Sequence, residues 1–183
     1  NSHYLGLLLL PTLGLFWLLG SLKHKQKISV ITRSTVISIL AFSLLMSPLL
    51  IYDLRHNGQN LSAVKTFFTQ RQTTVNLKAY KALPNLWPIL VNINTSLLAG
   101  KSRAVGERVT LFLVITSVLV YFSRRSPDLK LTLTWLIIGL LGLGLYKQHI
   151  YDHYYGFLFP APFLLTGFSL KYLFDRKLLR FVG

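Results

Sequence analysis

The chain has 183 residues, 52% of them hydrophobic and only 14% charged, and its 20 Lys and Arg against five acids give a net charge of +15. A soluble domain carries about a quarter charged residues, and here the apolar residues come in long runs without barrel-type alternation, which excludes an ordinary water-soluble globule and predicts an all-α, polytopic membrane protein. The absence of cysteine excludes a disulfide framework and a thiolate metal site. Basic loops flanking membrane spans account for the charge without nucleic acid.

Residues 4–22, YLGLLLLPTLGLFWLLGSL, carry no charge. At about 1.5 Å per helical residue they approach the roughly 30 Å hydrocarbon core and predict a first span. No charged segment precedes them, so they do not read as a signal peptide. The chain opens on Asn1 and reads as the C-terminal part of a longer protein. A basic loop at 23–33 leads to a second span at 34–52, with Pro48 near its far end. Residues 53–108 form a long mixed segment. The run at 109–122 is a third span, short unless its polar flanks snorkel. A basic loop at 123–130, a fourth span at 131–146 and a fifth at 154–174 complete a single membrane domain over 1–183, with about five transmembrane helices.

The charges orient these spans. The compact segments 23–33, 123–130 and 171–180 hold four, three and four Lys and Arg, whereas 147–153 holds one. Long segments such as 53–108 count little in the positive-inside rule. The compact basic segments are therefore expected on the cytoplasmic side, and 53–108 and 147–153 outside. Within 53–108, residues 84–99 place Leu86, Leu90, Ile93 and Leu97 at helical spacing on one face, with Asn85, Asn92 and Ser96 elsewhere. That pattern predicts an outer interfacial helix. A spanning reading would put 123–130 outside, against the charge rule.

The spans are nearly free of ionisable groups, unlike those of most proton-coupled transporters. Polar chemistry gathers in two outer clusters. SPLLIYDLRHNGQN (47–60) ends a span and delivers Asp53, Arg55, His56 and Asn57, with Lys65, Arg71, Lys78 and Lys81 beyond. Arginine binds phosphate with two parallel hydrogen bonds and lysine acts as a point charge, so this stretch suits a lipid-linked phosphate. The same residues would also serve as solvated interface anchors, with Asp53 and Arg55 paired locally. In HIYDHYYG (149–156), His149 and His153 share a face if the stretch is helical. Two His and Asp152 are chemically adequate for zinc, but the spacing matches no recognised zinc pattern, and no metal or other cofactor is assigned. The tyrosines form either an aromatic belt or the rim of a polar pocket. Pro160 and Pro162 are expected to bend or loosen the span just inside that rim. Gly142 and Gly144 lie within a span and suit close helix packing. No nucleophile motif, phosphate-cradling glycine loop or dinucleotide fingerprint is present.

SPLLIYDLRHNGQNLSAVKTFF, an outer amphipathic segment after it, and DHYYGFLFPAPFLL together resemble the C-terminal half of bacterial membrane glycosyltransferases of family 39. These are related to protein O-mannosyltransferases and to lipid A aminoarabinose transferases, and have the GT-C fold. The similarity runs over about 34–174. It implies a multi-pass enzyme of the bacterial inner membrane that moves a sugar from a polyprenyl-phosphate donor to a lipid, glycan or protein acceptor on the outer face. Arg55 and His56 would then lie on the donor phosphate side, and His153, Tyr154 and Tyr155 at the pocket rim. The catalytic base of that family lies in a first outer loop that has no counterpart here, so no catalytic residue is carried over, and the chain alone is expected to be inactive. The alternative is a non-enzymatic lipid-carrier flippase or polysaccharide export protein.

Overall fold

The computed structural model describes residues 9–23, 27–69, 75–76, 78–124, 126–147 and 149–176. Among these the chain is all-α. Its helices are α1 (Leu9–Lys23), α2 (Ile28–Leu45), α3 (Ser47–Arg55), α4 (Gln59–Thr69), α5 (Leu83–Leu98), α6 (Arg103–Arg124), α7 (Pro127–Gly144) and α8 (Pro160–Asp175), with 3₁₀ segments at Ala79–Ala82 and Asp152–Leu158. Extended pairing among the described residues is confined to one isolated antiparallel bridge between Val75 and Tyr146, beside which the Asn76 amide donates to the Leu145 carbonyl at 2.8 Å.

Among the described residues, three helices are long and apolar enough to cross a membrane: Ile28–Leu45, Arg103–Ser123 and Pro127–Gly144. A fourth is added if Asp152–Leu158 and Pro160–Asp175, which meet at 50°, count as one broken span. The architecture is compatible with a multi-pass membrane protein. The expected first span is represented by the 15 residues of α1, about 22 Å of helix, and residues 4–8 lie outside the described ones. The expected second span is two helices divided at Met46. Pro48 sits in the first turn of α3, where its missing N–H costs nothing, so the break falls just before it. The same rule places Pro160 at the start of α8. The bend expected inside that span therefore lies ahead of the prolines, at Phe159.

The contacts fall into two compact units, Leu13–Thr74 and Val75–Gly183 with Asn1–Thr12. In the first unit α2 has no buried residue, although its mean hydropathy is 1.8, with Ile37, Leu40 and Leu44 all exposed. A predominantly apolar helix with so much exposed apolar surface suits an apolar solvent.

In the second unit α6 and α7 follow one another but touch little, and α5 joins their free ends. The first turn of α5 meets the end of α7: Asn85 Nδ2 donates to the Gly144 carbonyl at 2.9 Å, and a Cβ on Gly144 would lie 3.0 Å from the Ala82 carbonyl oxygen. Gly144 is thus a close-approach position, as its place in the span suggests. The last turns of α5 meet the start of α6, where Asn94 Nδ2 donates to Thr110 Oγ1 at 2.9 Å. Residues 84–99 are therefore helical, as expected, but their packed side is Ile89, Val91, Ile93 and Asn94, turned onto protein, with Leu86, Leu90 and Leu97 only partly buried. α8 packs on both α6 and α7, and Leu158 sits against Gly139 of α7.

Candidate functional site

In the first unit the DLRHN stretch is a helix–turn–helix corner. Asn57 and Gly58 both adopt positive φ, 54° and 68°, which reverses the chain between α3 and α4. Asp53 reaches across the turn: its Oδ1 accepts from the Asn60 amide at 2.6 Å and its Oδ2 from the Leu61 amide at 3.2 Å. These are amides of the first turn of α4, which lack intrahelical partners, so Asp53 caps a helix other than its own. His56 stacks on Tyr52 with centroids 3.9 Å apart, and its Nδ1 lies 2.7 Å from the Tyr52 carbonyl. Arg55, the last residue of α3, is exposed. Asp53 and His56 thus have structural duties at this corner, and Arg55 is the member whose guanidinium faces solvent. Of the basic residues beyond, Lys65 is exposed on α4, Lys78 and Lys81 are exposed in the second unit, and Arg71 lies outside the described residues.

In the second unit the 146–156 stretch divides between two environments. Residues 149–151 are not helical, and 152–158 form a 3₁₀ segment, whose tighter turn of about 120° per residue sends neighbouring side chains in different directions. His149 and His153 therefore share no helix face; both instead pack on Tyr151. His153 stacks on it at 5.7 Å and 15°, and His149 meets it edge-on at 4.7 Å. Tyr154 is buried, edge-on to His153 at 4.6 Å, to Tyr151 at 5.7 Å and to Tyr146 at 6.2 Å. The rings make a continuous aromatic patch whose exposed members are His149, Tyr151 and His153. Burial, then the nearby Tyr154 and Tyr151 phenols, push the Tyr146 phenol above its ordinary value of 10.0. Among the described residues no three His, Cys, Asp or Glu side chains converge to hold a metal ion.

Tyr155 turns the other way. It is buried, its Oη accepts from Asn92 Nδ2 at 3.3 Å, and with Asn92, Thr95 and Arg103 it lines a pocket of about 320 Å³ whose remaining wall is Pro88, Ile89 and Val91. Because Asn92 donates to the phenol oxygen, the phenol proton is not used in that bond. Arg103 opens α6. A cation there faces the positive end of the helix dipole, an unfavourable arrangement that an anion relieves. Its Nε donates to Glu107 Oε1 at 3.2 Å, a pair with 82% and 50% exposed side chains that contributes little by itself. The guanidinium, the carboxamide and the phenol suit phosphate or sugar oxygens. These lining groups suit charge stabilisation, and the Glu107 carboxylate is engaged with Arg103 beside them.

Of the five residues expected at a site, the structure brings His153 and Tyr154 together and puts Tyr155 in the polar pocket. Arg55 and His56 belong to the first unit. Arg103, Asn92 and Thr95 were not singled out as ligands by sequence; the signal for Arg103 was its position just before an apolar run, opposite in sign to what a helix start prefers. Neither a protein-family model, nor a curated protein, nor a solved structure matches the chain.

Proposed function

We propose that this chain forms part of an integral membrane glycosyltransferase of the GT-C type that moves a sugar from a polyprenyl-phosphate donor to an acceptor at the outer face of the bacterial inner membrane. The observation that carries the reading is the pocket in which Arg103, Asn92, Thr95 and Tyr155 converge at the free end of α6, beside an apolar bundle. In this reading the guanidinium and the Tyr155 hydroxyl stabilise the lipid phosphate as it leaves. The acceptor hydroxyl attacks the anomeric carbon once a base outside this pocket has removed its proton. The exposed His149–Tyr151–His153 patch faces the water from which an acceptor arrives. Arg55 and His56 remain candidate phosphate contacts through the resemblance.

The test is sugar transfer from a radiolabelled polyprenyl-phosphate donor by the full-length protein in membranes, with Arg103→Ala, Tyr155→Phe, Arg55→Ala and His56→Ala alongside. A loss of about tenfold or more, some 1.4 kcal/mol of transition-state stabilisation, in the first two variants supports the reading. Transfer that falls only in Arg55→Ala or His56→Ala moves the phosphate site to the α3–α4 corner. Absence of transfer with every donor, together with movement of the lipid carrier across the bilayer, favours the flippase reading.

A further inference from the structure

Between the splayed α6 and α7 lies a groove of about 370 Å³, within the roughly 300–1,000 Å³ range of small-molecule sites. Its wall is almost wholly apolar, and Val118 and Ile137, half exposed, stand at its margin. It therefore opens sideways, where an apolar solvent meets the helices. Along α6 it runs from Leu113 to Phe122, about 14 Å at 1.5 Å per residue. That is close to half of the roughly 30 Å hydrocarbon core, the depth of one leaflet.

One end of this groove is cationic. α7 lines it from Leu133 to Leu140, and Lys130 lies almost one turn before Leu133. The Lys130 Nζ stands 6.0 Å from the centroid of the Tyr121 ring, and Tyr121 itself lines the groove. α8 reaches the same end. Leu158, just ahead of it, sits against Gly139 of α7, whereas Ser169 bonds to Thr116 of α6, nearer the α6–α7 turn. α8 therefore runs toward that turn. Its groove-lining residues Pro162 and Leu165 continue at helical spacing through Ser169 to Tyr172 and Arg176, and the Arg176 guanidinium stands 5.6 Å from the Tyr172 ring. Two cations, each over a tyrosine, thus stand at the end where the apolar wall stops. Tyrosines at that level, with long cationic side chains, match the composition of a membrane's head-group region. The exposed acids at this end, Asp128 and Asp175, lie about 200° and 100° round their helices from Lys130 and Arg176, so neither shares the groove side. Lys130 is also in the first turn of α7, where a cation opposes the helix dipole and an anion relieves it.

We propose that this groove holds one acyl chain of an anionic phospholipid, with the head group at the Lys130–Arg176 end. The apolar wall takes the chain. A groove one leaflet deep brings the phosphate to the level of the two cations. A zwitterionic lipid fills the same wall but sets its own ammonium among them, so a net negative head group is preferred. The inference rests on the membrane reading of the chain and holds whether or not the chain transfers sugar.

The experiment is photo-crosslinking of the whole chain in phosphatidylcholine nanodiscs. They are doped with a trace of phosphatidylglycerol or of phosphatidylcholine, each carrying a diazirine in one acyl chain, and the label is mapped by mass spectrometry. Labelling within 113–122 and 133–140 is expected to be about three- to tenfold stronger with the anionic lipid, as one or two cations near a head group predict. Lys130→Gln with Arg176→Gln should bring it down to the phosphatidylcholine level. Labelling by phosphatidylcholine should stay the same in that variant, which shows that the groove is intact. Lys130→Arg keeps the charge and should keep the preference. Lys171→Gln removes an equal charge from the same end, but about 140° round α8 from Arg176, and should also keep it. Equal labelling by the two lipids in the native chain overturns the proposal, as does a preference that survives the double variant or is lost equally in Lys171→Gln. Absence of label from both segments with either lipid means that protein fills the groove, and overturns it too.

Discussion

Thr116 Oγ1 of α6 and Ser169 Oγ of α8 lie 2.6 Å apart, both buried, and form a polar bond inside an otherwise apolar helix contact. Each hydroxyl also has a carbonyl of its own helix within reach, Phe112 at 2.8 Å for Thr116 and Leu165 at 2.7 Å for Ser169. One proton therefore spans the helices while the other satisfies the backbone, and the small side chains let α6 and α8 approach closely. Ser169→Ala should destabilise the protein by only about 0.5–1 kcal/mol, because Thr116 then bonds back to its own helix. Ser169→Leu adds two heavy atoms to a closed contact and should cost about 1–3 kcal/mol. Reversible unfolding in mixed detergent measures both, and a Ser169→Ala loss as large as that of Ser169→Leu would contradict this ordering.

Gly106 marks a close approach of α5 to α6. A Cβ there would come within 2.8 Å of Thr95 Cβ and 2.9 Å of Thr95 Cα, and a backbone atom cannot rotate away. Gly106→Ala should cost about 1–3 kcal/mol and disturb the Arg103–Tyr155 pocket, which Thr95 also lines. Gly167 of α8 has open space around its Cβ position, and Gly167→Ala should be neutral or slightly stabilising. Comparing the two variants in the same unfolding assay separates steric cost from a general intolerance of alanine.

Which parts of this were readable in advance follows from what hydropathy can sense. The apolar runs that became α2, α6 and α7 stand out because a long, mostly apolar run needs no tertiary information to declare itself. The division of 34–52 at Met46 does not: a helix break leaves mean hydropathy unchanged. His153, Tyr154 and Tyr155 drew notice as a polar cluster, but their separation into a ring patch and a pocket depends on a 3₁₀ turn. The pocket itself joins Asn92 to Tyr155, 63 positions apart, a contact no local pattern encodes. Asn94 reads from sequence as one polar residue among several on an amphipathic helix, and only packing shows it to be the buried one.

Asp53 offers a local test of the α3–α4 corner. Asp53→Ala removes acceptors from the Asn60 and Leu61 amides and should destabilise the start of α4 by about 1–2 kcal/mol. Asp53→Asn keeps one acceptor oxygen and should lose less. The readout is hydrogen exchange at the Asn60 and Leu61 amides, which should quicken by about fivefold or more in the alanine variant. Unchanged exchange there would mean that the carboxylate serves something other than the cap.

Tyr146 gives the protein an alkaline limit. Its phenol lies outside the helices long and apolar enough to cross a membrane, at the bridge to Val75. Burial first, and then the Tyr154 and Tyr151 phenols, hold its pKa above 10.0. Between the unfolded and folded values the unfolded chain has released a proton that the folded chain still holds. Unfolding is then favoured by rising pH. The stability due to this group is fully present below about pH 10, the ordinary tyrosine value, and is lost as pH climbs through the raised folded value. Tyr146→Phe cannot ionise and keeps the ring contact with Tyr154, so its unfolding free energy should fall less than that of the native chain from pH 9 upward. Parallel unfolding titrations measure the difference, which cancels the other tyrosines common to both proteins. Identical alkaline slopes would show that Tyr146 ionises as freely in the fold as in the unfolded chain.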